Sequence, residues 1–182
     1  MDLLKRTTGA DLESSFKKAS RELDQLTISA VRKHQFKEEM TKIQKAMMET
    51  EKARQAEQTK AAIDKLSDAL QDEKRQIIVA QLDGVDSKTL SNVITHIKTK
   101  STKAALLISV DPSQQRVSHV CHVPKDLVGR GLAAKDWAAA VAEKVGGKAG
   151  GKAESAQGSG TEVGHVKEAL DIAEQFAQLK LQ

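Results

Sequence analysis

The sequence contains very few aromatic residues. Phenylalanine, tryptophan and tyrosine make up 2% of its 182 residues, with a single tryptophan and no tyrosine. The hydrophobic content of 39% still allows a core, which must then be mainly aliphatic. Proteins that bind single-stranded nucleic acids usually stack the bases on aromatic side chains. That class of protein is therefore disfavoured.

Cysteine and long apolar runs are also scarce. One cysteine cannot form an internal disulfide, and the opening MDLLKRTTGA lacks the apolar run of a signal peptide or membrane span. We therefore expect a cytoplasmic protein with no membrane partner. The net charge of +4 permits nucleic-acid binding without requiring it.

Glycine and proline are absent from Ala10 to Arg75. Apolar residues recur there at spacings of three and four, in three stripes: Leu12, Phe16, Ala19, Leu23 and Leu26; Phe36, Met40, Ile43 and Met47; and Ile63, Leu66 and Leu70. Poor helix formers in TISAV predict a break at Thr27 to Ala30. We predict a helical arm over residues 1–75, with a short helix followed by a long one from Ala30 to Arg75. The arm resembles a coiled coil, and either packs on itself as a hairpin or mediates dimerisation.

Residues 76–182 predict a small α/β head, which makes the whole chain α+β or α/β. QIIVAQ predicts a strand, and Asp86 or Ser87 caps a helix whose buried face holds Leu90, Val93, Ile94 and Ile97. AALLISVDPSQQRVSHVCHVP predicts two strands around a turn. A helix with Trp137 and Val141 then ends at Gly146, and a glycine-rich loop over residues 146–160 leads into the last helix.

Three stretches of the head carry a family resemblance. They are GGKAGGKAESAQGSG, with its Ala156-Gln157 pair; CHVPKDLVGRGLAAKDW before it; and EALDIAEQFAQLKL at the end. Together they resemble the C-terminal module of alanyl-tRNA synthetases, the DHHA1-like C-Ala domain, and the eukaryotic cytoplasmic enzymes in particular. The resemblance covers about residues 76–182 and extends to the arm through its position and helical character.

The resemblance implies a non-catalytic piece of a larger enzyme. The parent activates alanine with ATP and magnesium, attaches it to tRNA(Ala), and hydrolyses mischarged tRNA in a zinc-containing editing domain. The C-terminal module binds the outer corner of the L-shaped tRNA, links aminoacylation to editing and contributes to self-association. No cofactor is expected in the piece itself. Its head is related to the substrate-binding part of DHH phosphoesterases, but the aspartate and histidine motif that would bind their metals is absent.

Elementary chemistry offers a reason for the glycine-rich loop. Consecutive glycines let backbone N–H groups converge on an anion, and a helix beginning near Thr161 or Glu162 would add its positive N-terminal dipole. We therefore expect an RNA backbone to be held at this loop by shape and phosphate contacts. The candidate nucleic-acid-binding residues are Arg130, Lys135, Lys144, Gly146, Gly147, Lys148, Gly150, Gly151, Lys152 and Gln157.

Other functions remain open from the sequence. Lys148, Ala149 and Ser159 stand where the family usually has glycine, so the loop could instead be a flexible linker. The chain would then be a protein-interaction or dimerisation module, forming a homodimer through its arm, or a DNA-binding domain. Phosphate-binding and hydrolase motifs such as the Walker loop, GxSxG and HExxH are absent, so we do not expect the piece to be an enzyme.

Isolated histidines, the cysteine and a lysine cluster have simpler interpretations. On a strand, His119 and Cys121 lie on one face and His122 lies on the other. At most two of these side chains could therefore reach the same ion, which is too few ligands for a metal site. We expect Cys121 to be a small buried residue. His165 is interpreted as a surface histidine, with a phosphate contact as the alternative. The lysines at 88, 98, 100 and 103 are interpreted as solvated.

Overall fold

The computed structural model describes residues 9–25, 30–112 and 114–181. The chain divides into two compact units, residues 1–54 and residues 55–182. The expected fold class, a helical arm followed by a small α/β domain, is confirmed. Within the described residues, no helix is both long and apolar enough to cross a bilayer.

The described residues of the first unit, 9–25 and 30–54, are helical. Helix α1 spans Gly9–Gln25, and helix α2 spans Ala30–Lys65 and continues into the second unit. Leu23 and Met40, each from a predicted stripe, are buried. The helices end and begin on either side of the predicted break, whose residues up to 29 lie outside the described part of the chain.

The long helix is shorter than predicted. Helix α2 ends at Lys65 and a short helix α3 covers Ser67–Gln71. The chain turns at Leu66, whose side chain is buried in the core of the second unit. Because backbone hydrogen bonds continue through Leu66, from its N–H to the carbonyl of Ala62 and from the N–H of Leu70 to its carbonyl, helical structure stops at Gln71, four residues before the predicted Arg75.

The second unit contains a five-stranded sheet. Its strands are β1 (Ile77–Gln81), β2 (Ala104–Asp111), β3 (Arg116–His122), β4 (Lys148–Gly151) and β5 (Ser155–Gly160), in the order β1-β2-β3-β5-β4. β1 is parallel to β2, and the other neighbours are antiparallel. Strands β1 and β4 are therefore the two edges of the sheet.

Helix α4 (Ser87–Lys100) covers one face of the sheet. Asp86 caps it as predicted, because its Oδ1 accepts a hydrogen bond from the backbone N–H of Thr89 at 2.7 Å. The four predicted apolar side chains, Leu90, Val93, Ile94 and Ile97, are all buried. They share a core with Val120 of β3. The predicted buried face of this helix is therefore confirmed.

The other face is covered by helices that follow β3. These are α5 (Lys125–Gly129), α6 (Ala134–Lys144) and α7 (Val166–Leu181), and a 3₁₀ turn at Val163–His165 precedes α7. Trp137 is fully buried, and its Nε1–H donates to the carbonyl of Ala173 at 2.7 Å. This hydrogen bond joins α6 to α7 and satisfies the polar end of the tryptophan.

The second unit includes part of the region predicted as the arm. Ala62 and Leu66 belong to the same core as α4. Gln55 is buried and donates from Nε2 to Asp86 Oδ2 at 3.3 Å, and Gln58 donates to the carbonyl of Gly84 at 3.1 Å. The compact unit that carries the sheet consequently begins at residue 55, before the expected domain boundary at 75/76.

The interpretation of Lys103 as a solvated lysine is wrong. Its side chain is buried, and Nζ donates to the carbonyl oxygens of Ala69 and Asp72, each at 2.7 Å. These carbonyls lie in and just after the last turn of α3, and the carbonyl of Asp72 also accepts from the N–H of Arg75 at 3.0 Å. Lys103 therefore fastens this helix end to the beginning of β2, while Lys88, Lys98 and Lys100 are exposed.

Candidate nucleic-acid interface

The glycine-rich segment is not a loop. Strands β4 and β5 form a hairpin, and β5 also pairs with β3 from Val117 opposite Gly160 to His122 opposite Ser155. Much of its backbone is therefore used in the sheet and does not converge on an anion. The predictions of an N–H cradle and of a flexible linker are both wrong for this segment.

Close approach of the backbone explains several of the glycines. A Cβ at Gly147 would overlap the backbone of Ser159 and Gly160. One at Gly158 would overlap the His119 ring and lie 2.6 Å from the carbonyl oxygen of Lys148. In contrast, a Cβ at Gly150 would meet nothing within 4 Å. Gly147 and Gly158 are thus closely packed against their neighbours, whereas Gly150 has open space beside it.

Gly146 ends α6 as predicted. Its φ of +60° lies in the left-handed region, and the N–H of Gly147 donates to the carbonyl of Ala142 at 2.8 Å. This is the hydrogen-bond pattern of a glycine-terminated helix. It directs the chain from α6 into the edge strand β4.

The last helix begins later than expected. Helix α7 starts at Val166, after the 3₁₀ turn, and not near Thr161 or Glu162. His165 lies in the turn, with its ring nitrogens 3.7 Å from Glu162 and 3.4 Å from Glu168 carboxylate oxygens. Two carboxylates beside this histidine disfavour a phosphate there. The expected helix-dipole contribution to the hairpin is therefore not supported.

An open groove lies between α4 and the hairpin. It has a volume of about 320 Å³. Its lining residues come from α4, from β3 and from the hairpin: Ser91, Ile94 and Thr95; Val120; and Gly150, Gly151, Ser155, Ala156 and Gln157. Three of the predicted site residues, Gly150, Gly151 and Gln157, thus share one groove.

Strand register places further groups on this face. Gly150 pairs with Gln157, which pairs with Val120, so these positions face the groove side of the sheet. Lys148 precedes Gly150 by two positions in β4 and pairs with Ser159, so its exposed side chain lies on the same face of the sheet. Exposed Lys152 follows directly after Gly151.

The remaining predicted residues lie in three places. Lys144, Gly146 and Gly147 are at the base of the hairpin, and Lys144 is exposed. Lys135 is exposed in the first turn of α6, beside Ala134, whose N–H donates to the hairpin carbonyl of Ala153 at 2.7 Å. These residues therefore surround the hairpin.

Arg130 is separated from that group. Its guanidinium donates to Gln76 Oε1 at 3.0 Å and to the carbonyl of Leu181 at 2.6 Å. Gln76 directly precedes β1, the opposite edge of the sheet from β4. Four strand spacings separate the two edges, roughly 19 Å. Arg130 thus connects α5 to the end of α7, and the structure does not place it with the other candidates.

Two hydroxyl residues of the groove were missed by sequence reasoning. Ser91 and Thr95 lie one turn apart on α4, beside the buried face that was predicted correctly. Their spacing of four residues, continued by Ser87 and Thr99, was a signal that they share one side of the helix. The groove was not foreseeable because its other wall is a hairpin that the sequence did not predict.

His122 and Lys98 mark one end of this face. His122 is buried, and its Nδ1 lies 2.8 Å from the carbonyl of Glu154, so in the neutral ring Nδ1 carries the hydrogen. Burial lowers the pKa of His122, the hydrogen bond to Glu154 opposes that shift, and the charge of Lys98 lowers it further.

Cys121 and His119 point to the other side of the sheet, as predicted. Cys121 is fully buried, its Sγ–H donates to the carbonyl of Ala134 at 3.3 Å, and burial raises its pKa to about 12. This thiol is a packing group. In the described residues, no cluster of three or more histidine, cysteine, aspartate or glutamate side chains could hold a metal ion.

Comparison with known proteins identifies the family. The family model described as the DHHA1 domain matches residues 74–179, and one described as an alanine–tRNA ligase domain matches residues 1–50. The chain therefore belongs to the DHHA1 domain family. The predicted resemblance to the C-Ala domain of eukaryotic cytoplasmic alanyl-tRNA synthetases is confirmed by the relatives described next.

The chain is similar to cytoplasmic alanine–tRNA ligases of two insects. It is 31% identical to that of Bombyx mori over 88% of this chain and 29% identical to that of Drosophila melanogaster over 96%. It spans only 17% and 19% of the length of these relatives. The C-Ala domain of the Aquifex aeolicus alanyl-tRNA synthetase shares the fold, with a TM-score of 0.50 and 20% identity over 58% of this chain and 91% of that one.

Proposed function

We propose that this chain is the tRNA-binding C-terminal part of a cytoplasmic alanine–tRNA ligase. In this proposal it holds the outer corner of the tRNA and links aminoacylation to editing, while the parent enzyme supplies the ATP, magnesium and zinc chemistry. The observation that carries the proposal is the open groove beside the hairpin, with Lys148 and Lys152 exposed at its side. The family relationship supports the choice of tRNA.

The electrostatics of the hairpin suit a phosphate backbone. Among the described residues, no carboxylate lies within 4.0 Å of the amino group of Lys148 or Lys152. Both cations are therefore available to an anionic partner. Such contacts give affinity without reading sequence, and each one makes binding more sensitive to salt.

Reversing these two charges should weaken tRNA binding. We expect the double variant Lys148→Glu/Lys152→Glu to bind a tRNA(Ala) transcript about tenfold more weakly at low salt, with a slope of log Kd against log salt smaller by about 2. A filter-binding or gel-shift titration at several salt concentrations measures both quantities.

The matched control carries the same change of charge elsewhere on the second unit. Lys65→Glu/Lys74→Glu alters two exposed lysines at the end of α2 and before β1. If both double variants lose affinity equally, the hairpin is not the site. If the unaltered protein fails to bind tRNA even at low salt, the proposed function is wrong.

A second candidate function is self-association through the arm. Within the first unit, Leu12, Phe16, Ile43 and Met47 are only half-buried, and 36% of Phe36 is exposed. This leaves part of both apolar stripes available to a second copy. We expect sedimentation equilibrium to show a dimer at tens of micromolar, which Phe36→Glu/Met47→Glu would convert to monomer. A monomeric unaltered chain at that concentration would exclude the homodimer.

A further inference from the structure

We propose that the groove between α4 and the hairpin recognises the ribose 2′-hydroxyl of its nucleic acid, through Ser91 and Thr95. The inference rests on the proposed function and adds the chemical basis on which this site would separate RNA from DNA. Two observations support it: the hydrogen bonds that the two hydroxyl groups already make within α4, and the uncharged residues that line the groove.

Both hydroxyl hydrogens are already donated. Ser91 Oγ–H donates to the carbonyl of Ser87 at 2.9 Å, and Thr95 Oγ1–H donates to the carbonyl of Ser91 at 2.8 Å. A hydroxyl has one hydrogen and two lone pairs, so each oxygen remains only as an acceptor. Both side chains line the groove, Ser91 half-buried and Thr95 exposed.

An acceptor requires a donor on the ligand. Phosphate oxygens are acceptors and cannot supply one, whereas the 2′-hydroxyl of RNA can. DNA lacks this group. The α4 wall of the groove therefore matches the sugar of RNA better than either the phosphates or the sugar of DNA.

The residues that line the rest of the groove are uncharged and leave room for a nucleic-acid backbone. Gly150 and Gly151 present no side chain, Val120 lies on the sheet between the two walls, and no lysine, arginine or carboxylate lines the groove within the described residues. The lysines that could meet phosphates, Lys98, Lys148 and Lys152, lie outside this lining. The α4 wall of the groove thus suits the uncharged sugar, whereas the exposed amide of Gln157 on the hairpin can donate to a neighbouring phosphate.

The test compares two forms of one RNA. A tRNA(Ala) made with 2′-fluoro nucleotides at every position keeps the A-form helix but has no 2′-hydroxyl hydrogens. The unaltered protein should bind it about tenfold more weakly than the all-ribose transcript, because each of the two lost hydrogen bonds contributes roughly a factor of three to the affinity. In Ser91→Ala/Thr95→Val, both transcripts should bind equally, with the affinity of the 2′-fluoro form.

The matched control is Thr99→Val, one turn further along α4. Thr99 donates to the carbonyls of Thr95 and His96 but does not line the groove, so its loss should leave the tenfold preference intact. Thermal melts of all variants confirm that α4 is folded.

The outcomes distinguish this inference from the function on which it rests. Equal binding of both transcripts by the unaltered protein, or an equal loss of affinity for both in Ser91→Ala/Thr95→Val, overturns the 2′-hydroxyl inference and leaves tRNA binding standing. A failure of the unaltered protein to bind either transcript at low salt overturns both.

Discussion

Replacing Gly158 by alanine is expected to destabilise the domain by about 2 to 3 kcal/mol, because the added methyl group overpacks a closed site. The neighbours that it would meet are the fully buried His119 ring and the backbone carbonyl of Lys148, at 2.6 Å. A buried ring and a paired strand cannot move aside as the end of a flexible side chain can. Urea unfolding followed by circular dichroism measures the loss.

Gly150 provides the matched control in the same hairpin. A methyl group there meets nothing within 4 Å, so Gly150→Ala should change the free energy of unfolding by no more than about 0.5 kcal/mol. The comparison separates overpacking from any general requirement for glycine in a strand. Equal stabilities of Gly158→Ala and the unaltered protein would show that β5 is not closely packed against His119.

The second large effect concerns acid pH and His119. This side chain is fully buried, and neither ring nitrogen has a partner with hydrogen-bond geometry among the described residues. Burial lowers its pKa from 6.5 to about 4, although the nearby backbone of Ala138 opposes part of the shift. The native state therefore holds the neutral ring, whereas the unfolded chain takes up a proton at a higher pH.

The direction of the pH dependence follows from this difference. Between pH 6.5 and about 4 the unfolded chain binds more protons than the native state, so stability falls as the pH is lowered. The full loss is about 3 kcal/mol and is complete below about pH 4. Above pH 6.5 both states hold a neutral ring and His119 contributes no pH dependence.

The His119→Leu variant isolates this contribution. Leucine fills an apolar site without a titrating group, so the variant should retain at pH 4 about 3 kcal/mol that the unaltered protein loses, after subtraction of their difference at pH 7. Urea titrations at half-unit steps of pH measure the difference, in which the carboxylates common to both proteins cancel. Parallel pH profiles of the two proteins would contradict the assignment.

The sequence predicts the elements that have a helix cap or a regular pattern of apolar side chains. Helix α4 has a capping aspartate and four apolar residues on one face, and all five positions behave as expected. Strand β2 is a long aliphatic run, β3 carries Val117 and Val120 among polar residues, and both strands were predicted around their turn. In these elements burial and local preference indicate the same structure.

The hairpin could not be predicted in this way. KAGG and SAQGSG have neither β-branched residues nor an alternation of apolar and polar side chains. They become strands because β5 adds to β3 and because glycine allows the backbone to approach His119. Both causes involve residues distant in sequence, so composition alone predicted a loop.

The candidate site was predicted only in part for the same reason. Glycines and lysines near the hairpin were identified by composition and resemblance, and nine of the ten candidates surround it. The sequence alone does not show that Arg130 and Lys103 differ from basic residues whose side chains contact only solvent. Each proves to bind backbone carbonyls, an outcome that depends on which helix ends meet them.

The buried thiol of Cys121 has a practical consequence for labelling. It is the only cysteine of the chain, and with a pKa near 12 and no exposure it should resist maleimide reagents in the folded protein. A single Gly150→Cys substitution therefore introduces one reactive thiol at the groove without removing the native one. A fluorophore attached there would report directly when a ligand enters.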